Sequence, residues 1–145
     1  MSTKDLTALD RRFFEEWNKG KAAAMALIDK SCATNIVWPD ANGEDIRGIK
    51  DFKKSMGEFF GAFPDNHFTI EDMIAEGDMV AVRYTITGTH KGEMMGIPAT
   101  NKKVTLMALE IDRIVGGKFV EGWIRFDTLG MMRQLGLAPT PGKRK

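Results

Sequence analysis

The chain predicts an α+β fold, with helices packed against one face of an antiparallel sheet. Three observations carry this. Apolar residues recur every three or four positions through most of the first half. After Asp65 they alternate or run continuously over ten or more residues. Glycine or proline marks the switches at Gly20, Pro39, Pro64, Gly77 and Gly116-Gly117.

The elements follow in order. Leu6, Leu9, Phe13 and Trp17 form one apolar helical stripe, stopped at Asn18-Lys19-Gly20. KAAAMALIDKSC is a second helix, rich in strong helix formers. TNIVWPD switches to strand, ended by Pro39 and the polar turn DANGED. After Arg47-Gly48 a third helix carries Phe52, Met56, Phe59, Phe60 and Phe63 on its apolar face, and Pro64 ends it. NHFTIEDMIAEGD and MVAVRYTITGTH form a hairpin turning at Glu76-Gly77-Asp78. Residues 91–102 are a loop. KVTLMALEIDRIV and KFVEGWIRFD form a second hairpin, turning at Gly116-Gly117. TLGMMRQL is a short closing helix. Strands this long in a short chain favour a strongly bent sheet that wraps the helices.

A length of 145 residues suits one domain. We place it at 1–138, with 139–145 a flexible tail ending in Lys143-Arg144-Lys145. The net charge of +1, with both signs spread along the chain, gives no electrostatic case for nucleic acid or an anionic membrane. No apolar run is long enough to span a bilayer, and the N-terminus lacks the apolar core of a secretory signal. A lone Cys32 fits a cytoplasmic location and reads as a small buried residue rather than a reactive thiol. With two histidines and no pair at ligand spacing, no metal site is expected. The chain has no phosphate-binding glycine loop and no nucleophile elbow. Acid–base chemistry by carboxylates remains.

Glu110 is the first candidate, an acid in the apolar strand Met107–Ile111, on one face with Leu106, Ala108 and Asp112. In a cavity, desolvation would let it hold or take a proton near neutrality. At the surface it would pair with a Lys or Arg. Arg83, charged within an apolar strand, either holds a substrate oxygen or pairs with Glu110 or Asp112. Asp127 ends the last strand on the face of Trp123 and Arg125, and it is well placed to cap the closing helix. Trp38, Trp123, Phe60 and Met107 are candidate substrate walls, with plain core as the alternative.

The segments NIVWPD, FPD, GDMVAVRYTITGTHKGEMMGIPAT, ALEIDRIVGGKFVEGW, FD and QLG, in this order, resemble the SnoaL-like polyketide cyclases, also called ester cyclases. The likeness runs from about Phe13 to Leu137. It implies an NTF2-like α+β cone with a deep pocket between helices and sheet, and a homodimer through the outer sheet face. It implies intramolecular aldol ring closure of a hydrophobic small molecule, without metal or cofactor. Relatives usually carry Asp at position 110, share the W-x-x-x-D pattern ending at Asp127, and share His90 near a strand end. On that basis Glu110 or Asp127 is the expected base and His90 the expected proton donor, with a turn-fixing hydrogen bond as the alternative for His90. Flat rings at Trp38 and Trp123 suit a planar ligand. Three positions depart from the family: Asn35 where Asp is frequent, and Pro39 and Gly122 where His is common. The missing histidines at 39 and 122 keep open an isomerase, dehydratase or hydrolase of a lipophilic compound; because fold does not fix function, a binding or dimerisation module is the other alternative.

Overall fold

A computed structural model describes residues 1–40 and 43–142. Two turn residues of DANGED and the basic cluster Lys143-Arg144-Lys145 lie outside the described residues. The chain runs α1 (Thr3–Trp17), α2 (Lys21–Ser31), β1 (Cys32–Pro39), β2 (Asp45–Arg47), α3 (Ile49–Ala62), β3 (His67–Glu76), β4 (Met79–Thr89), β5 (Lys103–Val115), β6 (Lys118–Phe126) and α4 (Thr128–Gln134).

Six strands form one sheet in the order β2-β1-β6-β5-β4-β3. All neighbours are antiparallel except β1 and β6, which run parallel. The sheet is therefore mixed, where the sequence pattern gave antiparallel pairing throughout. The short β2 is a second addition to the expected elements. Bulges interrupt the register between Ile70 and Asp72 and between Arg113 and Ile114. Such bulges bend a strand and increase its twist. The helices cover the inner face, as the α+β cone requires.

Local chemistry sets the element ends. Ser2 and Asp5 form a reciprocal capping box on α1. Gly116 and Gly117 both adopt positive φ, 59° and 77°, as a two-residue hairpin turn demands. Gly92 has a different reason: a Cβ there would lie 2.2 Å from the Gly61 carbonyl oxygen. The base of loop 91–102 thus packs directly on the end of α3.

On β5, Val104, Leu106, Ala108, Asp112 and Ile114 are buried, while Met107, Leu109 and Ile111 are exposed. The inner residues join Leu6, Phe14 and Trp17 of α1 and Phe52 and Phe60 of α3 in one core. Among the described residues, no helix is long and apolar enough to cross a membrane.

Candidate active site

The helices do not fill the cone. A cavity of about 560 Å³ remains between α1, α3 and the inner sheet face. Its walls include Phe14 and Trp17 from α1, Phe52 and Phe59 from α3, and Tyr84, Leu106 and Ile124 from the sheet. Exposed Glu58, Glu93 and Met95 line its outer part. Among the described residues, the lining contains carboxyls at Asp40, Glu58, Glu93, Glu110 and Asp112, and no Lys, Arg or His.

Glu110 and Tyr84 meet in this cavity. Alternation turns both inward, and the β4–β5 register pairs Tyr84 with Ala108 and Val82 with Glu110. The two side chains are thus diagonal neighbours, within reach of each other. The Tyr84 hydroxyl donates to Glu110 Oε2 at 2.5 Å. Burial pushes the Glu110 carboxyl up, and hydrogen bonds from Asp112 and Tyr84 partly offset this. Burial also raises the Tyr84 hydroxyl well above its ordinary value, with the Glu110 charge adding to it.

Behind Glu110 stand two more acids. Asp112, one side-chain step along β5, is 1% exposed, and Asp10 of α1 is 0% exposed. Asp10 is raised to about 7, chiefly by burial, with the Glu110 charge adding to it and a hydrogen bond from Asp112 partly offsetting it; burial and the Glu110 charge also raise Asp112 well above the carboxylate range. Counted as carboxylates, all four of their oxygens lack a hydrogen-bond donor. Yet the two side chains lie within hydrogen-bond reach of each other. A proton on one supplies the missing donor.

The other expected site residues lie elsewhere. Asp127 is exposed, and its Oδ1 accepts from the Gly130 N–H at 2.8 Å, so it caps α4. His90 is buried but does not line the cavity. Its Nδ1 accepts from the Thr100 N–H at 3.3 Å, and its backbone bonds Lys102 and Asn101, which ties the base of loop 91–102. Arg83 points outward and pairs with Asp72 rather than with Glu110 or Asp112. Trp123 and Met107 also sit on the outer face, 42% and 53% exposed, because strand alternation opposes them to Glu110. Phe60 is core, its ring tilted against Trp17 at 4.8 Å between ring centroids. Trp38 does line the cavity. Cys32 is buried beside it, its thiol pushed up to about 12 by burial.

Tyr84 and Asp10 escaped the sequence reading, though each left a signal. Asp10 occupies the apolar stripe of α1, four residues from both Leu6 and Phe14. Tyr84 alternates with the buried Val80, Val82 and Ile86.

The family model for SnoaL-like polyketide cyclases matches residues 7–135. The chain belongs to the SnoaL-like polyketide cyclase family. It is 30% identical over 135 residues to the aklanonic acid methyl ester cyclase DnrD of Streptomyces peucetius, covering 92% of each chain. Among solved structures, AclR of Streptomyces galilaeus, provisionally described as a hydroxylase, is 31% identical with a TM-score of 0.84, over 98% of this chain and 91% of that one. TsrD of Streptomyces laurentii is 26% identical with a TM-score of 0.81, over 95% and 99%. The kinship of this SnoaL-like chain is with enzymes of the cyclase type.

Proposed function

We propose that this family member is a cofactor-independent cyclase that closes a ring in a neutral, apolar polyketide ester by intramolecular aldol addition. One observation carries the reading: Glu110 faces an apolar cavity, half-buried, with the Tyr84 hydroxyl bonded to its carboxyl. Glu110 is the proposed base. It takes a proton from the carbon alpha to a carbonyl, leaving an enolate. The enolate carbon bonds to a second carbonyl carbon of the same molecule, and that carbonyl's π electrons move to its oxygen. The oxygen then takes the proton back from Glu110. Atoms and charge balance, and the enzyme returns to its starting state. The cavity supplies the folded pose and excludes water, and Tyr84 orients the carboxyl.

The charge of the lining supports the choice of substrate class. Among the described residues, a free carboxylate would enter a space whose ionisable linings are carboxyls, one tyrosine and the thiol of Cys32, with no cation to receive it. An ester avoids that repulsion. The homodimer expected from the outer sheet face belongs to the same proposal. It is supported by the exposed Met107, Leu109, Ile111 and Trp123.

The test is turnover of aklanonic acid methyl ester, the compound named for the relatives, followed by mass spectrometry. Cyclisation gives a product of unchanged mass. Glu110→Gln should lower the rate ~10²–10⁴-fold with the fold retained. An unaffected Glu110→Gln variant overturns the assignment of the base. A product heavier by one oxygen would instead favour the activity provisionally given to AclR.

A further inference from the structure

Asp10 has no place in the reaction just described, and burying it there is costly. It is the only ionisable residue among the four buried positions of α1, the others being Leu6, Phe14 and Trp17. Leucine or asparagine would serve packing without a charge to desolvate. Asp112 poses the same problem from β5, and together they leave four buried oxygens without a donor. Among the described residues, no Lys, Arg or His bears on Asp10, Glu110 or Asp112. Among the described residues, no group of three or more His, Cys, Asp or Glu side chains is arranged to hold a metal ion. A proton shared between these acids supplies the missing donor. Asp112 is the hub, since it is within hydrogen-bond reach of both Asp10 and Glu110.

We propose that Asp10 and Asp112 are positioning residues of a carboxyl chain, in which Asp112, kept as the neutral acid, donates its proton in a hydrogen bond to the Glu110 carboxylate. This rests on Glu110 being the base. The chain has a direction. Protonated Asp10 donates to Asp112, Asp112 donates to Glu110, and Tyr84 donates to Glu110 from the other side. Two donors then hold the Glu110 carboxylate in an apolar cavity. When Asp10 ionises, it competes for the one proton of Asp112 and adds a negative charge behind it. Glu110 loses a donor and becomes harder to ionise. The groups that face Asp10 are Tyr84 from β4 and Glu110 and Asp112 from β5. Neither α2 nor β3, which also pack on α1, contributes an ionisable group that bears on it. Asp10 thus sets, from outside the cavity, how readily Glu110 is charged.

The experiment is a titration of the aspartate and glutamate side-chain carboxyls by carbon NMR, without substrate, in wild type, Asp10→Asn and Asp112→Asn. In wild type, Asp112 should stay in the neutral-acid position through neutrality. The Glu110 curve should show a second inflection where Asp10 titrates, at about 7. Asp10→Asn should remove that inflection while the thermal melt stays cooperative. An ionised Asp112 at neutral pH in wild type overturns the proposal, whether or not the variants fold. So does a Glu110 curve unchanged in Asp10→Asn. With aklanonic acid methyl ester, Asp112→Leu should lower kcat about tenfold, one hydrogen bond's worth, with KM held. Asp112→Asn, which keeps an N–H donor, should recover most of that loss. Intact coupling in a protein that does not turn over would sink the cyclase reading and still support the carboxyl chain.

Discussion

Gly122 and the ring of Trp38 compete for one space. A Cβ at position 122 would lie 1.9 Å from Trp38 Cζ3 and 2.4 Å from Cε3, so no side chain fits while the indole lies on β6. Trp38 is part of the cavity wall and Gly122 lies against its ring, so the absence of a histidine at 122 is the condition for having the tryptophan where it is. Gly122→Ala should therefore destabilise the protein by about 1–3 kcal/mol through overpacking. Trp38→Ala should relieve much of that penalty, and a double-mutant cycle in urea would read the coupling. Additive effects would mean the two residues do not share the space. The candidate site was half legible at this level. Glu110 stood out because an acid inside an apolar strand needs a reason. Asp10 was hidden because the helical stripe could be read through Leu6, Leu9, Phe13 and Trp17 without it. Asp127 was ambiguous, since a residue closing a strand and opening a helix serves as a cap wherever the pocket lies. Only the sheet's curvature and the strand faces decide such cases, and both depend on partners distant in sequence.

The loop of residues 91–102 depends on His90. The imidazole accepts from the Thr100 N–H, while the His90 backbone N–H donates to the Lys102 carbonyl at 2.9 Å and its carbonyl accepts from the Asn101 N–H at 2.8 Å. At the tip, Met94 and Ile97 exchange two backbone bonds, and Met95 takes a left-handed φ of 50° beside Gly96. Met94 and Met95 line the cavity, so the loop's order shapes the opening. His90→Ala should raise amide hydrogen exchange at Thr100, Asn101 and Lys102 and leave β3 protection intact. A rate loss without any change in exchange would instead restore His90 as a proton donor. The helices and both hairpins were legible because their signals are local: an apolar stripe, a proline stop, paired glycines at a turn. The parallel pairing of β1 with β6 was not, because strands from opposite ends of the chain carry no mark of whom they will meet. The three residues of β2 are too few to show a period.

Two properties belong to the whole molecule, and the first is its response to pH. Asp10 has an ordinary value of 3.8 and a native value of about 7, chiefly because burial disfavours its charge. Between those limits the native state binds more protons than the unfolded state, so stability falls as pH rises. Asp112 and Glu110 are shifted in the same direction and extend the fall upward. Asp5 and Asp65 oppose it, held low by hydrogen bonds from Ser2 and Thr89, and weaken the fold only in stronger acid. Tm should therefore peak in mild acid and decline towards neutrality, with Asp10 alone contributing up to about 4 kcal/mol of the change. Asp10→Asn should flatten the decline in a series of thermal melts, and a wild-type Tm that is level from mild acid through neutrality would contradict the burial argument. The second is the association proposed above. The strand register aligns Ile74, Ala81, Ile111 and Trp123 in one row across the outer face of β3, β4, β5 and β6. Ile74 is 71% exposed, and Leu109, beside the row, is 56% exposed. Contiguous apolar surface of this kind supports the proposed homodimer, in which a two-fold axis would bury the same row on both copies. The flanking ion pairs Arg83–Asp72 and Arg113–Asp78 satisfy their own charges within one chain. Sedimentation equilibrium should give a dimer for wild type. Ile111→Lys should give a monomer with an unchanged circular dichroism spectrum, because the substitution points away from the cavity and its carboxyls. A wild type that stays monomeric at tens of micromolar would leave the row without a partner of its own kind.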